Sequence, residues 1–504
     1  MGVVRRQSLI SSAFIYLGFA IGAANILLLF PRFFSPEQIG LTRILLDVAM
    51  VIATVCTLGA VPVTLRFFPF YRSRLPADRN DLPFLSMALG AAGCLLMAMI
   101  LPTLKPVIIR KFGARSPLFV EYFELLYPLT VSLVFFAILE AHAWSWRRTV
   151  LSNALKEFGF RILTTLAILA FAAGWLGFEG FIHLYAWVYL PLVAVLAWAI
   201  GRMGGLAMHP RPSRVTRRLK GRMASFGLFM LGGAILNIVA RTNDTIILAS
   251  QSSGGLADAA VFTIATYLVT VMDVPMRSLV SISTPFIAEA WQTRDMARIE
   301  RLYRKTSLNL MLAGVAIFSV VLLNVGDATA YLGDGYAALT WLVVVSGLGK
   351  MADLSTGLNT QVLLLSRYWR VDFLTNLLLV ALSIPLNYWL TRRYDVMGPA
   401  YGNLVALVVF NLARSLLIWR FFRIQPFSRR HLGLLAVGMA VLAACHWIPA
   451  TGHMLVDIAV RTTAYLVLFG AAVWKLRISE DIHEVAGTLL ARLRRVRGGG
   501  SAEN

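Results

Sequence analysis

Four pairs of oppositely charged residues lie inside apolar stretches of this 504-residue sequence. The pairs are Arg43 with Asp47, Arg241 with Asp244, Asp273 with Arg277, and Lys350 with Asp353. The two members of each pair are three or four residues apart, so a helix places them on one face. There, the cation can leave its partner to bind an anionic group of a substrate, and the aspartate can take up a proton. The spacing therefore predicts a polar site built from helices.

The apolar surroundings of these pairs restrict where they can lie. A charged side chain at the centre of a bilayer costs about 2.5 to 3.5 kcal/mol. If all eight charges faced lipid, the total would be on the order of 20 kcal/mol, which exceeds the stability of a typical domain. We therefore expect the pairs to line a protected, water-filled cavity. For any single pair, mutual neutralisation between packed helices is the alternative.

The elements that must position these charges are long apolar segments. Hydrophobic residues make up 58% of the chain and charged residues 14%, and the mean hydropathy is +0.72. Strand-like alternation is absent, which argues against an outer-membrane barrel. The sequence predicts an all-α, polytopic membrane protein with about fourteen transmembrane helices. Bends are expected at Pro62, Pro275 and Pro285, because proline removes a helical hydrogen bond.

The net charge of +22 could suggest nucleic-acid binding, but the distribution of the basic residues indicates instead the orientation of the chain in the membrane. The basic residues follow the ends of hydrophobic runs and are not gathered on one polar domain. Most of the 47 Lys and Arg residues fall on one side of the predicted membrane, as the positive-inside rule requires of the cytoplasmic side. Both termini are therefore expected to be cytoplasmic.

Neither a cofactor nor a metal site is predicted. The three cysteines, Cys56, Cys94 and Cys445, fall inside apolar segments and form no spaced framework for disulfides or zinc. No phosphate-binding loop or metalloprotease motif occurs in a polar segment.

The predicted organisation is two six-helix lobes that form a pseudo-repeat, followed by two further helices. A weak similarity between the second and eighth predicted helices supports the repeat, and the even number of helices in each half makes the two halves parallel. The predicted divisions are 1–201 for the first lobe, 202–222 for a basic cytoplasmic linker, 223–425 for the second lobe, 426–475 for helices 13 and 14, and 476–504 for a basic cytoplasmic tail.

A polar stretch interrupts the apolar region near predicted helices 11 and 12. It reads PLNYWLTRRYDVMGPAYGNLVA, from Pro385 to Ala406. We expect Asn387 near the end of helix 11, an outer turn over 391–396, and a close-packing small-residue face from Gly398 and Gly402. Together with the fourteen helices and the repeat, this stretch resembles bacterial polysaccharide flippases (Wzx-type) of the multidrug/oligosaccharidyl-lipid/polysaccharide exporter superfamily.

The resemblance implies a function. It implies that the chain carries an undecaprenyl-diphosphate-linked oligosaccharide across the bacterial plasma membrane by alternating access, for a surface polysaccharide such as O-antigen lipopolysaccharide, capsule or exopolysaccharide. The two lobes would enclose a cationic cavity, and a proton or sodium gradient would drive transport. Membrane lipids and the polysaccharide polymerase machinery are the implied partners. On this basis we predict substrate binding by Arg241, Arg277, Lys350 and Arg43, and ion coupling by Asp244, Asp273, Asp47 and Asp353.

Three alternatives remain open at this point. A multidrug exporter of the same superfamily would need about twelve helices and usually has fewer basic residues in its cavity. A lipid II flippase is closer, and the sequence does not exclude it. A membrane enzyme, such as a polysaccharide polymerase or ligase, is disfavoured because it needs a sizeable outer loop or domain, whereas the predicted outer connections are short.

Overall fold

The computed structural model describes residues 14, 16–76, 79–146, 148–206, 209–449 and 451–478. The predicted tail over 476–504 therefore lies outside the described residues from position 479 onward. The protein is 86% helical, and its described residues contain no strand, which confirms the all-α prediction.

Eighteen main helices follow one another along the described part of the chain. They are α1 (Tyr16–Phe33), α2 (Pro36–Cys56), α3 (Ala60–Arg74), α4 (Leu82–Phe112), α5 (Leu126–Ser145), α6 (Phe160–Ala172), α7 (Phe178–Ala186), α8 (Tyr189–Arg202), α9 (Arg214–Gln251), α10 (Leu256–Thr270), α11 (Asp273–Gln292), α12 (Met296–Leu332), α13 (Leu339–Ser355), α14 (Asn359–Leu364), α15 (Trp369–Tyr394), α16 (Gly398–Phe422), α17 (Arg429–His446) and α18 (Met454–Lys475).

Within the described residues, ten helical segments are long and apolar enough to cross a membrane, or up to eleven if a bent pair counts as one. The bent pair is α10 with the first part of α11. The segment Arg370–Phe422, which covers α15 and α16, is counted once although it holds two predicted helices. The chain is thus a multi-pass membrane protein, and the total of about fourteen spans stays a prediction.

Two of the predicted helices are broken, at positions slightly earlier than the prolines that were expected to bend them. Leu58 and Gly59 have φ of 47° and 78°, and they separate α2 from α3. A 47° bend separates α10 from α11. Pro62 and Pro275 instead lie in the first turn of the next helix, where a backbone N–H has no helical partner to lose. Pro285 lies inside α11, which continues through it.

Packing divides the chain into two compact units. The first comprises the chain up to Ile264 together with Thr391–Val396, and the second comprises Ala265–Leu390 and the chain from Met397 onward. The first unit therefore includes α9, which packs along α2 and α3. Polar side chains join helices within it: Asn25 of α1 donates from Nδ2 to the carbonyl of Arg161 over 3.0 Å.

In the second unit, α12 and α16 both pack on α13, and α17 and α18 pack on α12. The side chain of Asn387 in α15 donates to Asn403 Oδ1 in α16 over 3.1 Å. A Cβ atom at Gly402 would lie 2.0 Å from Asn387 Oδ1, so glycine is what allows this approach. The predicted close contact at Gly402 is therefore present. The predicted turn over 391–396 is shorter than expected, because α15 extends to Tyr394.

Candidate functional site

Arg43 and Asp47 form the predicted intrahelical ion pair in α2. Arg43 Nε lies 2.8 Å from Asp47 Oδ2, and the carboxylate is fully buried. The hydroxyl of Thr245, on α9, donates to the same oxygen over 2.5 Å. The other oxygen, Asp47 Oδ1, is buried and accepts no hydrogen bond from the described residues. This carboxylate thus keeps one unsatisfied acceptor inside the first unit.

Arg241 and Asp244 lie on α9, one turn and one residue before Thr245, respectively, and they are not arranged like the pair in α2. The side chain of Arg241 is exposed, and it makes no ion pair or hydrogen bond within the part of the chain that the structure describes. Asp244 is half-buried and has a partner of its own. The guanidinium of Arg241 is therefore available to an anion.

In the second unit, a lysine lies between two aspartates from different helices. Lys350 Nζ on α13 contacts Asp273, the first residue of α11, and lies 2.9 Å from Asp353 Oδ2. All three side chains are largely buried, with exposures between 17% and 27%. Two carboxylates around one ammonium leave a net charge of −1. A proton or a monovalent cation would neutralise this set.

Arg277 is left outside this set. Asp273 was expected to pair with it one turn along α11, but its partner is Lys350 on α13. The Arg277 side chain is exposed, and no described residue forms an ion pair or hydrogen bond with it. Arg241 and Arg277 are thus alike in carrying an exposed, unpaired guanidinium, one in each unit.

A chain of amide side chains continues from Asp353 into the second unit. Asn411 Nδ2 on α16 donates to Asp353 Oδ1 over 3.3 Å, and Asn411 Oδ1 accepts from Asn359 Nδ2 over 2.9 Å. Asn359 Oδ1 in turn lies 3.5 Å from Nη1 of Arg414. Both asparagines are buried. Each bond in this chain joins two different helices, so it fixes their register as well as connecting charges.

The chain ends at a buried ion pair between α15 and α16. Arg414 Nη2 lies 2.5 Å from Asp372 Oδ1, and the arginine side chain is 1% exposed. Its other donors reach Thr375 over 2.9 Å and Thr360 over 2.5 Å, and the guanidinium lies 4.2 Å from the ring centre of Phe410. A continuous set of contacts thus runs from Asp273 to Asp372 and holds three carboxylates and two cations.

Sequence reasoning did not find this second half of the network. The predicted charge pairs are three or four residues apart, and Arg414 has no acidic residue at those distances. Its partner is 42 residues away in the chain. A single arginine inside an apolar run was the signal that could have flagged it, because an unpaired charge there is costly.

Among the described residues, no group of three or more His, Cys, Asp or Glu side chains could hold a metal ion. The carboxylates of the second unit instead face lysine and arginine.

No family model matches the sequence, and no curated protein sequence is similar to it. Solved structures do match. The lipid II flippase MurJ, in an inward closed conformation, has a TM-score of 0.72 and 12% identity and covers 93% of this chain and 99% of its own. The chain has the fold of membrane transporters. An inward-facing multidrug resistance MATE family transporter of the MOP superfamily has a TM-score of 0.60 and 16% identity, covering 81% and 94%.

A mutant of the MATE transporter VcmN from Vibrio cholerae also matches. Its TM-score is 0.51 and its identity 16%, and the match covers 84% of this chain and 98% of that one. At such low sequence identities, these structural matches establish the fold and not the substrate.

Proposed function

We propose that the protein is a flippase that moves an undecaprenyl-diphosphate-linked oligosaccharide across the bacterial plasma membrane by alternating access. The observation that carries the proposal is the structural match to a lipid II flippase over nearly the whole length of both chains. Lipid II is the second candidate substrate, and the same match favours it. Both are glycans on a lipid diphosphate, so both need cations within the membrane.

The charged residues support an anionic substrate. Arg241 and Arg277 expose guanidinium groups that no described side chain neutralises. Guanidinium binds phosphate oxygens through two parallel hydrogen bonds, which makes arginine the favoured residue for a diphosphate. Arg43 and Lys350 are the weaker substrate-binding candidates, because each already has a carboxylate partner.

The aspartates support coupling to an ion gradient. Asp47 keeps a buried oxygen without a donor, and the set of Asp273, Lys350 and Asp353 carries one more negative than positive charge. A proton taken up from one side and released on the other would change the charge of such a group during the cycle. Asp244 is the remaining ion-coupling candidate. A proton or sodium gradient is the proposed driving force.

The test of the proposed function is a flipping assay in proteoliposomes. Purified protein is reconstituted with a fluorescent undecaprenyl-diphosphate-linked oligosaccharide in one set of vesicles and with lipid II in another, each with and without an imposed proton or sodium gradient. We expect gradient-dependent movement of at least one of the two lipids. Movement of lipid II alone would assign the second candidate, and movement of neither would overturn the proposal.

The two exposed arginines can be tested in the same vesicles. We expect Arg241→Ala and Arg277→Ala each to lower the flipping rate about tenfold or more, since a lost charged hydrogen bond costs about 1.5 to 3 kcal/mol. Arg420→Ala is the matched control, because Arg420 is an exposed arginine near the end of α16. Full activity of both variants, at normal levels of inserted protein, would remove these residues from the site.

A further inference from the structure

A separate cavity lies between α3 and α9 in the first unit. Its volume is about 620 Å³, within the range typical of small-ligand sites. None of the residues in the predicted charge pairs lines this cavity. The lining consists of Arg66, Phe67, Phe70, Leu219, Gly221, Arg222, Ser225, Phe226 and Phe229.

The lining combines aromatic walls with two cations and contains no acidic residue. Arg66 places its guanidinium 4.2 Å from the ring centre of Phe226, which holds it at the wall of the cavity. Neither Arg66 nor Arg222 forms an ion pair or a hydrogen bond with another described residue, and both side chains are exposed. The described residues therefore leave the donors of both arginines unsatisfied, and the cavity is complementary to an anion with an apolar part.

The two arginines lie near the point where the end of α3 meets the start of α9. The hydroxyl groups of Tyr71 and Thr216 are 2.6 Å apart, so the end of α3 meets the start of α9. Further along, Gly59 approaches Gly227 closely, so the two helices run antiparallel. Arg66 and Arg222 are five and six residues from the Tyr71–Thr216 contact, about 8 to 9 Å along the helices at 1.5 Å per residue.

The adjoining segment over 209–222 is strongly basic, and the predicted topology makes this end of the helices cytoplasmic. Bacterial and other cytoplasmic leaflets carry anionic phospholipids that such basic segments attract. Ser225 is the one uncharged hydroxyl side chain in the lining, so the cavity offers few hydrogen bonds to a sugar.

We infer that this cavity binds one anionic phospholipid of the cytoplasmic leaflet. The phosphate lies between Arg66 and Arg222, and an acyl chain lies against Phe70, Phe226 and Phe229. The site is distinct from the transport charges and does not depend on the proposed function. A phospholipid is favoured over the glycan-bearing substrate because the lining is aromatic and cationic, with little capacity for hydrogen bonding to sugars.

The test counts bound lipid by native mass spectrometry, with the protein released from nanodiscs of phosphatidylcholine alone, with added phosphatidylglycerol, or with added phosphatidylglycerol and undecaprenyl diphosphate. We expect one phosphatidylglycerol to stay bound to the wild type, with binding weakened about tenfold or more in Arg66→Gln/Arg222→Gln. The charge-matched control is Arg367→Gln/Arg420→Gln, in which two exposed arginines of the second unit change and the cavity is intact. We expect the control to bind like the wild type.

A second variant separates the cavity from general surface charge. Ser225→Trp fills the space and leaves both arginines in place, so we expect it also to lose the lipid. Thermal melting curves confirm that each variant is folded. The inference is overturned if Ser225→Trp binds normally, if the control loses as much binding as the cavity variant, or if phosphatidylcholine or an undecaprenyl diphosphate binds in preference to phosphatidylglycerol.

Discussion

Arg414 is a buried cation inside a membrane protein, and its contacts explain how it is tolerated. Its guanidinium reaches Asp372 at 2.5 Å and also two threonine hydroxyls, and it lies over the ring of Phe410. The charge is thus paired, hydrogen-bonded and shielded at once. Removing one partner of such a pair costs more than removing both, because the survivor is left as an uncompensated buried charge.

We expect Arg414→Met to destabilise the protein by about 3 kcal/mol. Asp372→Asn/Arg414→Met removes both charges and should recover a large part of that loss. Thermal unfolding in detergent of Arg414→Met, Asp372→Asn and the double variant measures the coupling between the two residues. A double variant that is no more stable than Arg414→Met would show that Arg414 does not stabilise the protein through its ion pair with Asp372.

The individual residues also show where sequence reasoning stops. The pairs Arg43–Asp47 and Lys350–Asp353 are present as predicted, because one helix fixes the distance between residues three or four apart. The contact of Lys350 with Asp273 depends instead on which helices become neighbours. Spacing along the chain does not show which helices become neighbours, so neither the contact of Asp273 with Lys350 nor the exposure of Arg277 could be predicted.

At the scale of elements, the break between α2 and α3 requires a glycine at position 59. Gly59 has a φ of 78°, in the left-handed region that residues with a Cβ atom disfavour. A Cβ atom there would also lie 2.6 Å from the carbonyl oxygen of Gly227 on α9. The sequence indicated a bend through Pro62, but it did not identify Gly59, because the close neighbour comes from a distant helix.

We therefore expect Gly59→Ala to destabilise the protein by about 2 kcal/mol or more, since the left-handed conformation alone costs roughly 1 to 2 kcal/mol. Gly232→Ala is the matched control. Gly232 lies inside α9 with nothing within 4 Å of its Cβ position, and alanine is favoured over glycine inside a helix by roughly 0.5 to 1 kcal/mol. Thermal unfolding of both variants checks this, and equal melting temperatures would contradict the account.

At the scale of the whole molecule, the all-α, multi-pass fold followed from composition and hydropathy alone. The division into units could not be read in the same way. The basic linker over 202–222 predicts a boundary between repeats, whereas packing places α9, which follows that linker, with the helices before it. Repeats are a property of sequence order, and compact units are a property of contacts, so the two descriptions need not coincide.

The predicted orientation in the membrane can be tested directly. The predicted topology places the connection after α12, which contains Asp334, on the outer side of the membrane. In a chain in which Cys56, Cys94 and Cys445 are replaced by alanine, we therefore expect Asp334→Cys to react with a membrane-impermeant maleimide on intact cells. Pro212→Cys, in the basic linker, should react only after lysis. Both positions are exposed, so accessibility within the fold does not distinguish them. The opposite pattern would invert the topology.

The segment Thr391–Val396, which includes the end of α15, belongs to the first unit, although the rest of α15 and all of α16 belong to the second. Asp395 accepts a hydrogen bond from the backbone of Ser253 over 2.8 Å, and Arg392 donates to Gln251 over 3.3 Å. These contacts join positions about 140 residues apart in the chain. A ribosome adding about 5 to 20 residues per second needs roughly 7 to 26 seconds to pass from Ile264 to Val396. During biosynthesis, the contacts of the first unit with Thr391–Val396 therefore cannot form until long after the rest of that unit has been translated.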